Sequence, residues 1–139
     1  DVAAVRAAVA EGLIDVVATD HAPHAPSETV EAGLEAGAFG IIGLETAAAA
    51  VHTALDLPQE VFFDRMAIAP ARLGGFSSHG RPLAPDSPAN LVVFDPAATW
   101  VPDEFVSRSS NSPFAGRPLR GRVEATVYQG AVTFIRDGR

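Results

Sequence analysis

The chain has 139 residues, 47% hydrophobic and 19% charged, with a formal net charge of −7. Its length suits one domain and its composition is globular, which excludes a disordered tail. All ten basic residues are Arg, so lysine chemistry is excluded; the lack of Cys excludes disulfides and thiolate sites, and an acidic chain without a basic stripe is a poor nucleic-acid binder.

Asp1 to Glu11 carries Val2, Val5 and Val9 at helical spacing, with Ala filling most other positions. This predicts an amphipathic helix closed by Gly12. Leu13 to Thr19 is short, β-branched and apolar on both faces apart from Asp15, the pattern of a buried parallel strand. Asp20 to Gly40 is a long polar stretch with Pro23, Pro26, Gly33, Gly37 and Gly40, and loops of that kind are functional or disordered. Helical spacing returns from Ile42 to Leu55 and again from Pro58 to Met66, with a turn at Pro70 to Leu73. Beyond Gly74-Gly75 the pattern is β-rich. Leu91 to Phe94 predicts a short strand stopped by Asp95-Pro96, and residues 107–118 predict a loop. Val123 to Tyr128, Gly130 and Ala131 to Ile135 predict a hairpin. The expected division falls near residue 73. No apolar run approaches the roughly 18 residues of a membrane span. We read no signal peptide and no initiator Met, and expect a piece of a longer protein. Absence of Cys suits a cytoplasmic location, which is the expectation.

The strongest chemical signal is Val-Ala-Thr-Asp20-His21-Ala-Pro-His24, where an apolar strand ends in an acid and two His. In α/β barrels, residues at the C-terminal ends of strands read as catalytic. A carboxylate there can ligate a metal or carry a proton. Taken on residue types alone, Asp20 reads equally well as the N-cap of a following helix, and His21 as a solvated loop residue. Asp20, His21 and His24 are three donors within five residues, too close for ready convergence on one ion, and a structural zinc usually takes four ligands. His52 and His79 read as structural. The Ser107 to Ser112 run lacks a neighbouring base and a strained elbow, so it reads as a connection rather than a nucleophile.

The string Ile14-Asp-Val-Val-Ala-Thr-Asp-His-Ala-Pro-His24, followed by Phe39-Gly-Ile-Ile-Gly-Leu-Glu-Thr46, resembles the dihydroorotase family of cyclic amidohydrolases. Later pieces agree in order: Pro70-Ala-Arg-Leu73, Ala89-Asn-Leu-Val-Val-Phe-Asp-Pro96, and Ser107-Arg-Ser-Ser-Asn-Ser-Pro-Phe-Ala-Gly116. The chain departs from the pattern at Ala38, where Pro is usual, and at Ala69, where Asn is common.

The resemblance implies an α/β fold: the last units of a (β/α)8 TIM-type barrel over residues 1–72, with an active-site loop at 20–40, then part of a small β-sandwich over 73–139. It implies a zinc-dependent hydrolase that opens dihydroorotate to N-carbamoyl-aspartate in pyrimidine biosynthesis. It implies two zinc ions per complete site, with Asp20 as metal ligand and catalytic acid/base. His24 would bind the substrate carboxylate, and the backbone of Phe39 and Gly40 would contact the ring. The remaining zinc ligands would lie upstream, so residues 1–139 alone are expected to be inactive. Expected partners are a small-molecule substrate, the upstream part of the same barrel, and a homo-oligomeric copy or a carbamoyltransferase. No nucleic acid or membrane is expected. The competing readings are an allantoinase or dihydropyrimidinase, and an inactive scaffold subunit.

Overall fold

A computed structural model describes residues 1–136. Helix α1 (Val2–Glu11) forms as its spacing predicts, and Gly12 ends it in the left-handed conformation, φ 82°. Of its Val stripe only Val9 is buried; Val2 and Val5 are exposed. The next stretch departs from expectation. Leu13 and Ile14 form a bend, and Asp15 to Thr19 join no ladder. The Val17 N–H donates to the Arg65 carbonyl at 3.2 Å, and just beyond it one isolated parallel bridge joins His21 to Ile41. A parallel strand exists only where neighbours hydrogen-bond to it along its length, and the described residues supply one bridge. Correspondingly, no closed barrel is seen among them.

Short helices follow: α2 (Gly33–Ala36), α3 (Ala47–Leu55), α4 (Gln59–Phe63) and α5 (Ala69–Leu73). The helix expected from Ile42 starts at Ala47, because turns occupy the residues before it. Between α4 and α5 the chain widens into a π turn, Asp64–Ile68. Pro70 explains the widening. Its ring has no N–H to donate and would clash with the carbonyl four residues back in an α-helix. The wider turn removes that conflict and leaves the Arg65 carbonyl free for Val17. On the other side of the same residue, the Arg65 Nε donates to the Val9 carbonyl at the end of α1, 3.2 Å away.

The regular sheet is a single antiparallel one, ordered β1 (Leu91–Trp100), β2 (Leu119–Tyr128) and β3 (Ala131–Ile135). Helix α3 packs on β2. The hairpin between β2 and β3 turns at Gln129 and Gly130, both at positive φ, 50° and 83°, as a tight primed turn requires. Strand β1 does not stop at Asp95-Pro96 as its sequence suggests. It runs on to Trp100 across a bulge. Asp95 pairs with Arg122 and Thr99 with Arg120, so Pro96, Ala97 and Ala98 face the single residue Gly121. Pro is tolerated there because a bulge asks for no ladder donor. The Asp95 carboxylate accepts from the N–H groups of Ala97 and Ala98 at 2.9 and 3.2 Å, and the Pro96 carbonyl accepts from His52 Nε2 at 3.1 Å. No bulge donor is left orphaned.

The core joins helices to sheet. Val9, Leu57 and Phe62 are buried at its centre, with Phe94 of β1 packed on them. Phe62 stacks on Phe94 with centroids 5.3 Å apart, and the His52 ring meets both edge-on at 5.7 and 5.4 Å. Among the described residues no helix is long and apolar enough to cross a membrane.

Candidate active site

Asp20 follows directly on the apolar stretch that ends at Thr19. It is exposed, and its φ of 44° is left-handed. That conformation costs a residue with a Cβ roughly 1–2 kcal/mol, and Asp is among the few that visit it routinely. The next helical turn begins at Pro26, so Asp20 caps no helix. The kink turns the chain into the bridge with Ile41, where the Ala22 N–H donates to the Ile41 carbonyl at 2.9 Å.

His21 is a brace. Its Nδ1 accepts from the backbone N–H groups of Gly43 and Leu44, each at 3.2 Å. An Nδ1 that accepts twice carries no proton, which leaves the ring hydrogen on Nε2. His21→Ala should therefore lower stability by about 1 kcal/mol. His21→Asn, which can place an oxygen near the same point, should recover most of that loss in urea unfolding.

His24 and Gly40 meet directly. A Cβ on Gly40 would lie 2.4 Å from His24 Cδ2, 2.9 Å from its Nε2 and 2.6 Å from the Ala22 carbonyl. Glycine is required here for close approach rather than for an unusual backbone angle, since Gly40 is not among the positive-φ residues. The imidazole of His24 is half-buried, with Glu28 Oε2 3.9 Å from its Nδ1. Phe39, next to this contact, is fully exposed. It is no core anchor; with Val30 and Leu34 it lines a shallow groove.

Sequence reasoning missed the third side of this arrangement. Asn111 comes from the Ser- and Pro-rich loop. Its Nδ2 donates to the Gly40 carbonyl at 2.6 Å, and its own carbonyl accepts from the Ile42 N–H at 2.9 Å. The loop that carries it is tethered to Glu45, whose carboxylate accepts from the N–H groups of Val106 and Ser107 at 2.9 and 3.0 Å. The signal was its place in the Ser107 to Gly116 string that matches the family pattern.

The expected zinc pair does not fit the described residues by themselves. Among them no group of three or more His, Asp or Glu side chains is placed to hold a metal ion, whereas a catalytic zinc generally takes about three protein ligands. Asp20 offers one exposed carboxylate.

A dihydroorotase of Streptomyces coelicolor is 45% identical to this chain over 145 residues, covering 100% of the chain and 33% of that protein. A dihydroorotase of Leifsonia xyli is 40% identical over 144 residues, covering 99% of the chain and 32% of its own length. The chain is linked at family level to the dihydroorotases and hydantoinases of the amidohydrolase superfamily. It spans about a third of the length of these curated relatives. A solved D-hydantoinase (dihydropyrimidinase) from Thermus sp. superposes with a TM-score of 0.83 at 26% identity, over 99% of this chain and 31% of that one. No family model matches.

Proposed function

We propose that the chain works within a hydrolase of cyclic amides, and that its substrate is dihydroorotate, opened to N-carbamoyl-aspartate in the cytoplasm. The observation that carries this reading is the contact of His24 with Gly40 beside exposed Phe39. It brings two sequence motifs, 15 residues or more apart, into one small surface that a small ring with a carboxylate could occupy. In this reading Asp20 takes a proton from the attacking water as its oxygen bonds to the amide carbon. As the carbon–nitrogen bond breaks, Asp20 returns the proton to the leaving nitrogen. His24 holds the substrate carboxylate and the backbone of Phe39 and Gly40 supports the ring. The zinc ions implied by the family resemblance would take their other donors from the rest of the protein, as would the barrel units that residues 1–72 would complete. Residues 73–139 would form the sandwich portion, its last three lying outside the described residues.

Two other readings rest on specific observations. The likeness to the Thermus D-hydantoinase favours a dihydropyrimidinase-type substrate without a carboxylate. The absence of a three-donor metal group among the described residues favours a scaffold subunit, partnered by a carbamoyltransferase for example. Hydrolysis assays of the intact protein with dihydroorotate, hydantoin, dihydrouracil and allantoin separate them. Dihydroorotate should give the highest kcat/KM. Preference for hydantoin or dihydrouracil would move the reading to the second class, and no turnover by zinc-loaded protein would move it to the third.

His24→Ala should raise KM for dihydroorotate about 10- to 100-fold, the range expected for a hydrogen bond to a charged group. Zinc content should stay unchanged. Loss of zinc with normal KM in the active remainder would make His24 a ligand instead.

A further inference from the structure

We propose that Asn111 is a positioning residue for the site, holding Gly40 at the depth that seats His24 for the substrate carboxylate. The proposal rests on the reading of His24 given above. Residues Gly40 to Ile42 form the middle of three short runs. On one side Ala22 donates to the Ile41 carbonyl at 2.9 Å, and His21 pairs with Ile41 in the parallel bridge. On the other side Asn111 holds both flanking residues: its side chain donates to the Gly40 carbonyl at 2.6 Å, and its backbone accepts from Ile42 at 2.9 Å. Asn111 thus occupies the place of a second neighbouring strand, one residue long, and does so with a side-chain amide as well as a main-chain carbonyl.

The side-chain bond is the adjustable one. It acts on a residue whose Cα has no room for a further carbon, because the His24 ring and the Ala22 carbonyl close over it. When the Nδ2 donor is lost, the Gly40 carbonyl has to turn towards water, and the surface beneath His24 shifts with it. The loop around Asn111 is built to hold still. Ser109 is buried and its Oγ accepts from the Asn111 N–H at 3.4 Å, while Glu45 fixes Val106 and Ser107 upstream.

The test is a double-mutant cycle in the intact protein, using steady-state hydrolysis of dihydroorotate and of dihydrouracil, which lacks the carboxylate. Asn111→Ala should raise KM for dihydroorotate about tenfold, with kcat within about threefold, and should raise KM for dihydrouracil by a smaller factor, through the Gly40 ring contact alone. In a His24→Ala background the same substitution should have a clearly smaller effect, because residues that act through one another are not additive. Asn111→Asp, which keeps the size but sets an oxygen against the Gly40 carbonyl, should raise KM at least as much, and it serves where Asn111→Ala fails to fold. Asn111→Gln, which keeps the donor, should recover part of the loss. The proposal is overturned if Asn111→Ala and Asn111→Asp leave KM unchanged, or raise it by their full factor in the His24→Ala background, while His24→Ala alone raises it. If His24→Ala alone leaves KM unchanged, the reading of His24 falls, and the proposal falls with it.

Discussion

Replacing Asp20 by Ala in the intact protein should lower kcat by about 10²–10⁴-fold, the range for removing a general acid/base group. The expectation has a structural basis beyond residue type. Asp20 is exposed at the end of an apolar segment, in a backbone conformation that most side chains avoid. Strain of that kind persists only where the surroundings hold it, and it gathers at sites of function. Here the surroundings are the His21 brace to Gly43 and Leu44 and the bridge to Ile41. Asp20→Asn keeps the shape and the tolerance for positive φ but cannot carry the proton, so it should lose activity almost as fully while unfolding at the wild-type denaturant concentration. A variant that keeps more than about a tenth of wild-type kcat with normal metal content would remove Asp20 from the chemistry.

Phe62→Ala should destabilise the fold by about 3–5 kcal/mol, the usual loss for a large core aromatic. Phe62 is 2% exposed and stands where four rings meet, against Phe63, Phe94 and His52. Truncation would open a cavity between α4 and β1, and the edge-on and stacked ring pairs would lose their partner, each worth about 0.5–1.5 kcal/mol beyond burial. It would also loosen the surroundings of His52, whose Nδ1 is already buried without a hydrogen-bond partner. Urea unfolding followed by circular dichroism checks this. A loss under about 1 kcal/mol would show that helices and sheet do not share a core at this point.

The parts legible in the sequence were those whose cause is local. Helix α1 and its Gly12 cap follow from spacing and one backbone preference, and the β2–β3 hairpin follows from alternation around a tight turn. Leu13 to Thr19 has the composition of a buried strand, yet pairing depends on neighbours that no local pattern specifies. Asp95-Pro96 reads as a strand stop because proline lacks a donor. The Asp95 carboxylate and His52 satisfy the bulge instead, and the His52 contact is 44 residues away in sequence. At the candidate site, the run from Asp20 to His24 and the Phe39-Gly40 pair could be picked out by residue type. The reason Gly40 must be glycine could not, because it lies in the ring of His24. Nor could Asn111 be weighed, since its partners are fixed by tertiary packing.

The span between Asn111 and Gly40 has a consequence in time. They are separated by 71 residues, and a ribosome adds about 5–20 residues per second. On the order of 4–14 seconds therefore pass between the synthesis of Gly40 and that of the residue that clamps it. Through that interval the loop has only its His21 side secured. The site is finished late, by a residue from the far half of the chain, and a ribosome stalled before Asn111 would display the loop with its second edge unclaimed.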